Sequence, residues 1–157
     1  EIPKNIGYAI EYFDESIRRF GDKVSMYNLS HIYIYEESMK GNIDKSIELL
    51  IRSINQQFSP SKILLIIALI KKHGFNLTNI KSDLIKKTSQ SSNLPNMICQ
   101  MIQYYNFDNE LIFQIIYDKL NTIDYMYDYL HNCVISNEIT KQIFNQQGQE
   151  KKINIYA

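Results

Sequence analysis

The stretch NIDKSIELLIRS, residues 42–53, decides the fold because a related stretch precedes it at a fixed distance. Residues 5–16 read NIGYAIEYFDES, and the two segments share Asn, Ile, Ile, Glu and Ser at matching places, offset by 37 residues (42 − 5). Another step of the same length reaches Asn79 and Ile80, so the Asn-Ile pair occurs three times in register. A period of this size, with two helical segments in each unit, predicts a solenoid of helical hairpins.

Apolar residues at helical spacing, interrupted by Gly, Pro and Asn, predict the individual helices. We expect long helices first and shorter ones after Pro95, at residues 5–20, 23–35, 43–57, 61–72, 80–87, 96–105, 108–120, 122–133 and 136–144. Asn42 and Asn79 are predicted helix caps, and Ser59 is a predicted cap with Pro60 at the first helical position. Glu36 and Glu37 are predicted to lie in a loop.

Length, charge and cysteine content exclude several classes of protein. The chain has 157 residues with 17 basic and 17 acidic side chains, and this balance argues against a dedicated nucleic-acid-binding protein. The longest apolar run, residues 63–70, is far shorter than the roughly twenty residues that span a bilayer, so we expect no membrane insertion. Cys99 and Cys133 lack disulfide or metal spacing, which favours free thiols and a cytoplasmic location. Because the chain starts at Glu1, we expect a fragment of a larger protein.

Candidate chemical groups are few and scattered along the chain. Glu36 and Glu37 are adjacent carboxylates, but neighbouring side chains point apart and a third catalytic group is missing. The three histidines and two cysteines do not recur at metal-ligand spacings, and no glycine-rich phosphate loop is present. We therefore predict that the protein is not an enzyme and that it carries no cofactor or metal.

Small residues recur at fixed places in the predicted hairpins. The first helix of one hairpin has a small, leucine, small and tyrosine pattern at Ser25, Leu29, Ser30 and Tyr33. The second helix has a cap, a small residue, an aromatic residue, a second small residue and a closing glycine at Asn5, Ala9, Tyr12, Ser16 and Gly21, and part of this pattern returns at Asn42, Ser46 and Ser53. This arrangement over residues 5–90 resembles the Sel1-like repeat, a relative of the tetratricopeptide repeat. The turn glycines of that family are replaced by Glu36 and Ser38.

The resemblance implies an all-α right-handed superhelix of Sel1-like hairpins with a C-terminal helical cap. Its expected divisions are helical repeats over residues 1–92, capping helices over 93–145 and a frayed tail over 146–157. Small residues let the backbones of adjacent helices approach closely, so four of them are predicted packing positions, namely Ala9, Ser16, Ser46 and Ser53. Proteins of this family act as scaffolds and adaptors for other proteins, and the family implies no chemistry of its own.

Charge and aromatic content suggest where a partner binds. Five lysines form a predicted basic ridge, Lys71, Lys72, Lys81, Lys86 and Lys87, whereas residues 106–140 are mainly acidic. Both sets can be solvated helix faces. The ridge can instead bind an acidic protein segment, a phosphate-bearing partner or RNA. The concave surface of a solenoid is lined by the first helix of each hairpin, which predicts partner contacts at Asn28, His31, Tyr35 and Lys62.

The predicted function is a non-catalytic scaffold or adaptor that binds another protein or another domain of the same chain. The alternative is a helical-repeat RNA-binding module that uses the basic ridge from Lys71 to Lys87. The ridge lacks the interleaved aromatic and arginine side chains that stack on bases, which argues against nucleic acid as the partner.

Overall fold

A computed structural model describes residues 4–121 of the chain, and this part is all-α, as the sequence predicts. It contains seven α-helices and no strand, and the helices are α1 (Lys4–Phe20), α2 (Lys23–Tyr35), α3 (Ile43–Asn55), α4 (Ser61–His73), α5 (Leu77–Lys87), α6 (Leu94–Tyr104) and α7 (Glu110–Leu120). A 3₁₀ helix, Glu37–Asn42, connects α2 to α3. The two glutamates predicted to lie in a loop are therefore the residue before this 3₁₀ helix and its first residue.

Two of the three predicted caps lie elsewhere, and the third, Asn42, is at its predicted position but its side chain makes no cap bond. The Asn79 prediction was wrong, because α5 begins at Leu77 and the side chain of Asn76 accepts a hydrogen bond from the Asn79 backbone N–H at 3.0 Å. Asn42 precedes α3, but its amide donates to the Met39 carbonyl at 3.4 Å because the preceding 3₁₀ helix presents that carbonyl. Pro60, rather than Ser59, occupies the cap position of α4.

Two other helix ends follow their local sequence closely. Asp22 caps α2, since its carboxylate accepts from the backbone N–H of Ser25 at 3.2 Å and from the Ser25 hydroxyl at 2.7 Å. Gly74 follows the last residue of α4 with a φ of +67°, a left-handed conformation that side chains other than glycine rarely adopt. The chain thus turns sharply before α5.

Each helix from α1 to α6 packs mainly on its neighbours in the chain, and α4 lies at the centre. This helix contacts α2, α3, α5 and α6. Its residues 64–70 are all buried, which explains why it is apolar on every side. The larger core surrounds α4, and a second core joins α1 to α2 and α3. The described chain is therefore a helical array in sequence order.

The alternation of helices continues after Pro95 with a shorter period. α4 begins 38 residues after α2 (61 − 23), whereas α6 begins 33 residues after α4 (94 − 61) and α7 begins 33 residues after α5 (110 − 77). The 37-residue period is therefore not kept after Pro95, and the described helices there follow one another at a shorter spacing. The helices predicted at 122–133 and 136–144, Cys133 and the tail lie outside them.

Within residues 4–121, no single helix is long and apolar enough to cross a bilayer. The pair α4 and α5 reaches the required length and composition together, but the two helices are bent by 116° at their junction.

Candidate functional site

Helix α7 lies against α2 and α4, where aromatic rings form a stack. The ring of Tyr35 on α2 is sandwiched between His31, with centroids 4.4 Å apart, and Tyr117 on α7, with centroids 4.5 Å apart. The Tyr35 hydroxyl donates to the Tyr117 carbonyl at 2.7 Å. On the α7 side the stack continues from Tyr117 to Phe113, whose ring meets Phe75 edge to face. We call the surface formed by His31, Tyr35 and Lys71 the α2–α4 face.

His31 is buried beneath the end of α7. Its Nε2 lies 2.9 Å from the Leu120 carbonyl, and because a carbonyl only accepts, Nε2 carries the proton and donates it. The other ring nitrogen, Nδ1, is buried and has no hydrogen-bond partner among the described residues. Burial lowers the pKa of His31, while the bond to Leu120 acts in the opposite direction. The side chain is therefore a neutral donor with an unsatisfied acceptor.

Lys71 on α4 completes the contact with α7. Its Nζ donates to the Ile34 carbonyl at 2.7 Å and to the Tyr117 hydroxyl at 3.1 Å, and it lies 5.1 Å from the centroid of the Tyr117 ring. A cation over an aromatic face is attracted to the ring. One lysine of the predicted basic ridge thus holds a helix of the same chain.

The four predicted partner contacts are in different environments. Asn28 and His31 are 3% and 4% exposed, and Tyr35 is half-buried under α7. None of these three side chains offers an open surface while α7 is in place. Lys62 is half-buried and makes no ion pair within residues 4–121. Partner contact at these four positions stays a prediction.

An open groove surrounds Lys62. Two adjoining hollows of about 450 and 510 Å³ meet at Ser59 and Lys62. Their walls come mainly from the start of α4 and from Met97, Met101 and Tyr105, which follow one another at intervals of four along α6 and the residue after it. The end of α3, one residue of α2 and one residue of α7 also contribute to the lining. We call this surface the Lys62 groove and define it by Phe58, Lys62, Ile63, Met97, Met101 and Tyr105. Methionine and aromatic side chains are typical of protein-binding surfaces.

A cluster of charges joins α5 to α3 and α4. The carboxylate of Asp83, 8% exposed, accepts from Lys72 at 2.9 Å, from His73 Nε2 at 2.7 Å and from Lys87. Burial would raise the pKa of Asp83, but the bonds from Lys87, His73 and Lys72 outweigh it and hold the pKa well below its usual range. Asp44 on α3 binds the same two lysines from the solvent side. We call these five residues the Asp83 cluster.

The predicted basic ridge is therefore divided between several roles. Lys72 and Lys87 belong to the Asp83 cluster, and Lys71 binds α7. Lys71, Lys81 and Lys86 are exposed and make no ion pair in the described part of the chain, but the ammonium of Lys71 is bonded to Ile34 and Tyr117. Since phosphate binding depends on free cations, the ridge offers RNA a smaller charge than its sequence indicates.

The four predicted packing positions, Ala9, Ser16, Ser46 and Ser53, are all buried. The Ser46 carbonyl accepts from the Ser30 hydroxyl at 3.2 Å, and the Ser53 hydroxyl donates to the Lys23 carbonyl at 2.9 Å. These bonds require that α3 lies close to the backbone of α2. The burial of these four residues is what close helix packing requires. Their assignment to a repeat family stays a prediction.

The described residues offer little for catalysis. His73 and Asp83 form an acid–histidine pair, but no serine or cysteine of residues 4–121 bonds to His73 to act as a nucleophile. No group of three or more His, Cys, Asp and Glu side chains in this part of the chain is arranged to hold a metal. Cys99 is half-buried, and burial raises the pKa of its thiol, which lowers the fraction of reactive thiolate.

Sequence reasoning missed the roles of Asp83, His73 and Tyr117. The sequence does carry one signal for Asp83, because Lys87 follows it by four residues, an ion-pair spacing on a helix. No comparable local signal marks Tyr117, whose partner Tyr35 is 82 residues away. Comparison of the chain with protein-family models, curated proteins and solved structures finds no match.

Proposed function

We propose that the chain is a non-catalytic protein-interaction scaffold built from Sel1-like helical hairpins. The observation that carries this proposal is the Lys62 groove. It combines exposed apolar side chains with a cation, Lys62, that makes no ion pair within the described residues, on a surface made largely by helices.

The chemistry of the groove indicates the kind of partner. Ile63 is 38% exposed and Tyr105 is 55% exposed, and both lie beside Lys62. Large apolar side chains at the centre of an interface supply most of its affinity, whereas a charge at the rim selects the partner. The groove therefore suits a protein segment that places an acidic residue next to apolar ones.

Charge reversal at Lys62 tests the proposal, with an equal change at Lys86 as the matched control. Purified wild-type, Lys62→Glu and Lys86→Glu chains are used to capture partners from a lysate of the source cells, with and without nuclease. A protein that survives nuclease, and whose capture is lost only with Lys62→Glu, supports the proposal. Binding that disappears on nuclease treatment, or is lost only with Lys86→Glu, contradicts it and favours the RNA alternative.

A further inference from the structure

We propose that α7 is an intramolecular ligand of the α2–α4 face, and that a partner displaces it with an amphipathic helix carrying a tyrosine. This inference rests on the proposed function, because it assumes that the chain binds proteins and that the α2–α4 face is one of its binding surfaces. It adds the class of the partner and a competition that controls access to the surface.

Helix α7 contacts the rest of the molecule as a bound peptide helix does. None of its residues is fully buried. Its contact face consists of residues at helical spacing that pack against the larger core, Phe113, Ile116, Tyr117 and Leu120. On its outer side Leu111 is 70% exposed and Ile115 is 57% exposed. Within the described residues, α7 therefore contacts the rest of the molecule through one face only.

The α2–α4 face does not depend on α7 for its own structure. α2 packs on α1, α3 and α4, and α4 packs on four other helices. Residues 64–70 of α4 belong to the central core, whose other buried members come mainly from α2, α3, α5 and α6, so we expect this packing to persist without α7. When α7 leaves, we expect His31, Tyr35 and Lys71 to stay in place as a preformed surface.

The contact of α7 with this face is imperfect. His31 Nδ1 is buried and has no hydrogen-bond partner among residues 4–121, which is unfavourable for a polar atom. The bonds from Tyr35 and His31 use main-chain carbonyls of α7, at Tyr117 and Leu120, which any helix can present. A competing helix therefore reproduces these bonds without the same sequence, and a polar group opposite Nδ1 makes it bind more tightly.

One side chain of the partner is specified by the structure. The ring of Tyr117 stacks on Tyr35, and its hydroxyl accepts a hydrogen bond from Lys71 Nζ. Phenylalanine supplies the ring but not the acceptor. The expected partner is thus an amphipathic helix with a tyrosine in its last turn, so that its terminal carbonyls meet His31.

Hydrogen exchange of the full chain tests whether α7 opens independently. We expect α7 amides to exchange by local opening, at least tenfold faster than those of α4. Tyr117→Ala raises the α7 rates at least tenfold further and leaves α4 unchanged, and Tyr117→Phe gives an intermediate increase. Leu111→Ala, on the exposed side of the same helix, is the control and leaves the rates unchanged. Equal protection of α7 and α4 overturns the proposal.

Binding in trans is the second test, with a fluorescent peptide of residues 109–121 as the probe. The Tyr117→Ala chain is expected to bind this peptide at least tenfold more tightly than wild type, and Tyr35→Ala in the same chain to abolish binding. Equal or undetectable binding to the wild-type and Tyr117→Ala chains overturns the proposal. If capture that depends on Lys62 persists in that case, the scaffold function stands and only the α7 competition fails.

Discussion

Two helix contacts in this molecule are held by different kinds of side chain. Ser46 on α3 and Asp83 on α5 are 37 residues apart, the spacing that relates residues 5–16 to residues 42–53. Both side chains are buried, Ser46 completely and Asp83 to within 8%. Ser46 lies where α3 meets α2 through small residues, whereas Asp83 lies where α5 meets α4 through a charge cluster.

This difference shows that residues at the same 37-residue spacing in the sequence can pack in two different ways. A small residue lets helix backbones approach, so that dispersion and hydrogen bonds from serine hydroxyls to main-chain carbonyls stabilise the contact. A buried carboxylate is costly unless several donors surround it, and here Lys72, His73 and Lys87 provide them. The contact of α5 is therefore specified by charge, and that of α3 by shape.

Exchanging the two chemistries gives the largest expected effect. Ser46→Asp places a carboxylate in a fully buried site without cationic partners, and we expect it to destabilise the fold by about 4 kcal/mol. Denaturant unfolding measures this change. Ser46→Ala is the control and is expected to cost less than about 1 kcal/mol, because it removes only the bond to the Ile43 carbonyl. A Ser46→Asp chain as stable as wild type would show that the contact is not tightly packed.

Neutralising the cluster has the next largest effect. Asp83→Asn leaves Lys72 and Lys87 without their buried partner, and we expect a loss of about 2–3 kcal/mol in unfolding free energy. Asp44→Asn is the matched control, since Asp44 binds the same lysines but its side chain is 59% exposed, and a cost below about 1 kcal/mol is expected. Equal effects from the two variants would mean that burial does not distinguish the carboxylates.

Acid titration tests the same cluster by protonating Asp83 gradually, and the expected loss of stability is smaller than that of the substitution. The folded-state pKa of Asp83 lies below its ordinary value of 3.8, so the folded state binds fewer protons than the unfolded state. Its contribution to stability is complete above that value and is lost as the pH falls towards the folded-state pKa. We expect the melting temperature of wild type to decrease more steeply below about pH 4 than that of Asp83→Asn. Parallel profiles would contradict this assignment.

His31 offers the smallest effect and contrasts with Asp83, because its buried Nδ1 has no partner in the part of the chain that the structure describes. Its folded-state pKa is lowered from 6.5 mainly by burial, so protonation favours the state in which it is exposed. Stability should fall as the pH drops below 6.5, by at most about 1.4 kcal/mol per pH unit. Thermal unfolding between pH 7 and 5 measures this, and His31→Gln, which keeps a donor for Leu120, should flatten the profile.

The sequence predicts most of the helices but fewer of their ends. The bounds of α2 agree with the prediction at both ends, because Gly21 and Asp22 form a strong local stop and start signal. The start of α5 was misplaced by three residues, since Asn76 and Asn79 are equally good caps and only the packing of Leu77 on the core selects between them. Local sequence signals therefore predict the presence of a helix better than they predict its first residue.

The candidate site was less predictable than the fold. Helical spacing placed His31 and Tyr35 on one surface, and the structure shows them side by side. That α7 covers this surface depends on contacts between residues 82 and 89 positions apart, which no local pattern encodes. The Lys62 groove likewise arises where α4 and α6 meet, and periodicity within either helix does not indicate it.

The distant contacts of α7 also affect the order of folding. The principal helix pairs are neighbours or next neighbours in the chain, and such local contacts form quickly. The bonds from Tyr35 and His31 to α7 close loops of 82 and 89 residues, which carries a larger entropy loss. We therefore expect α7 to dock last, and during synthesis α1 to α4 to pack before the ribosome has released α7.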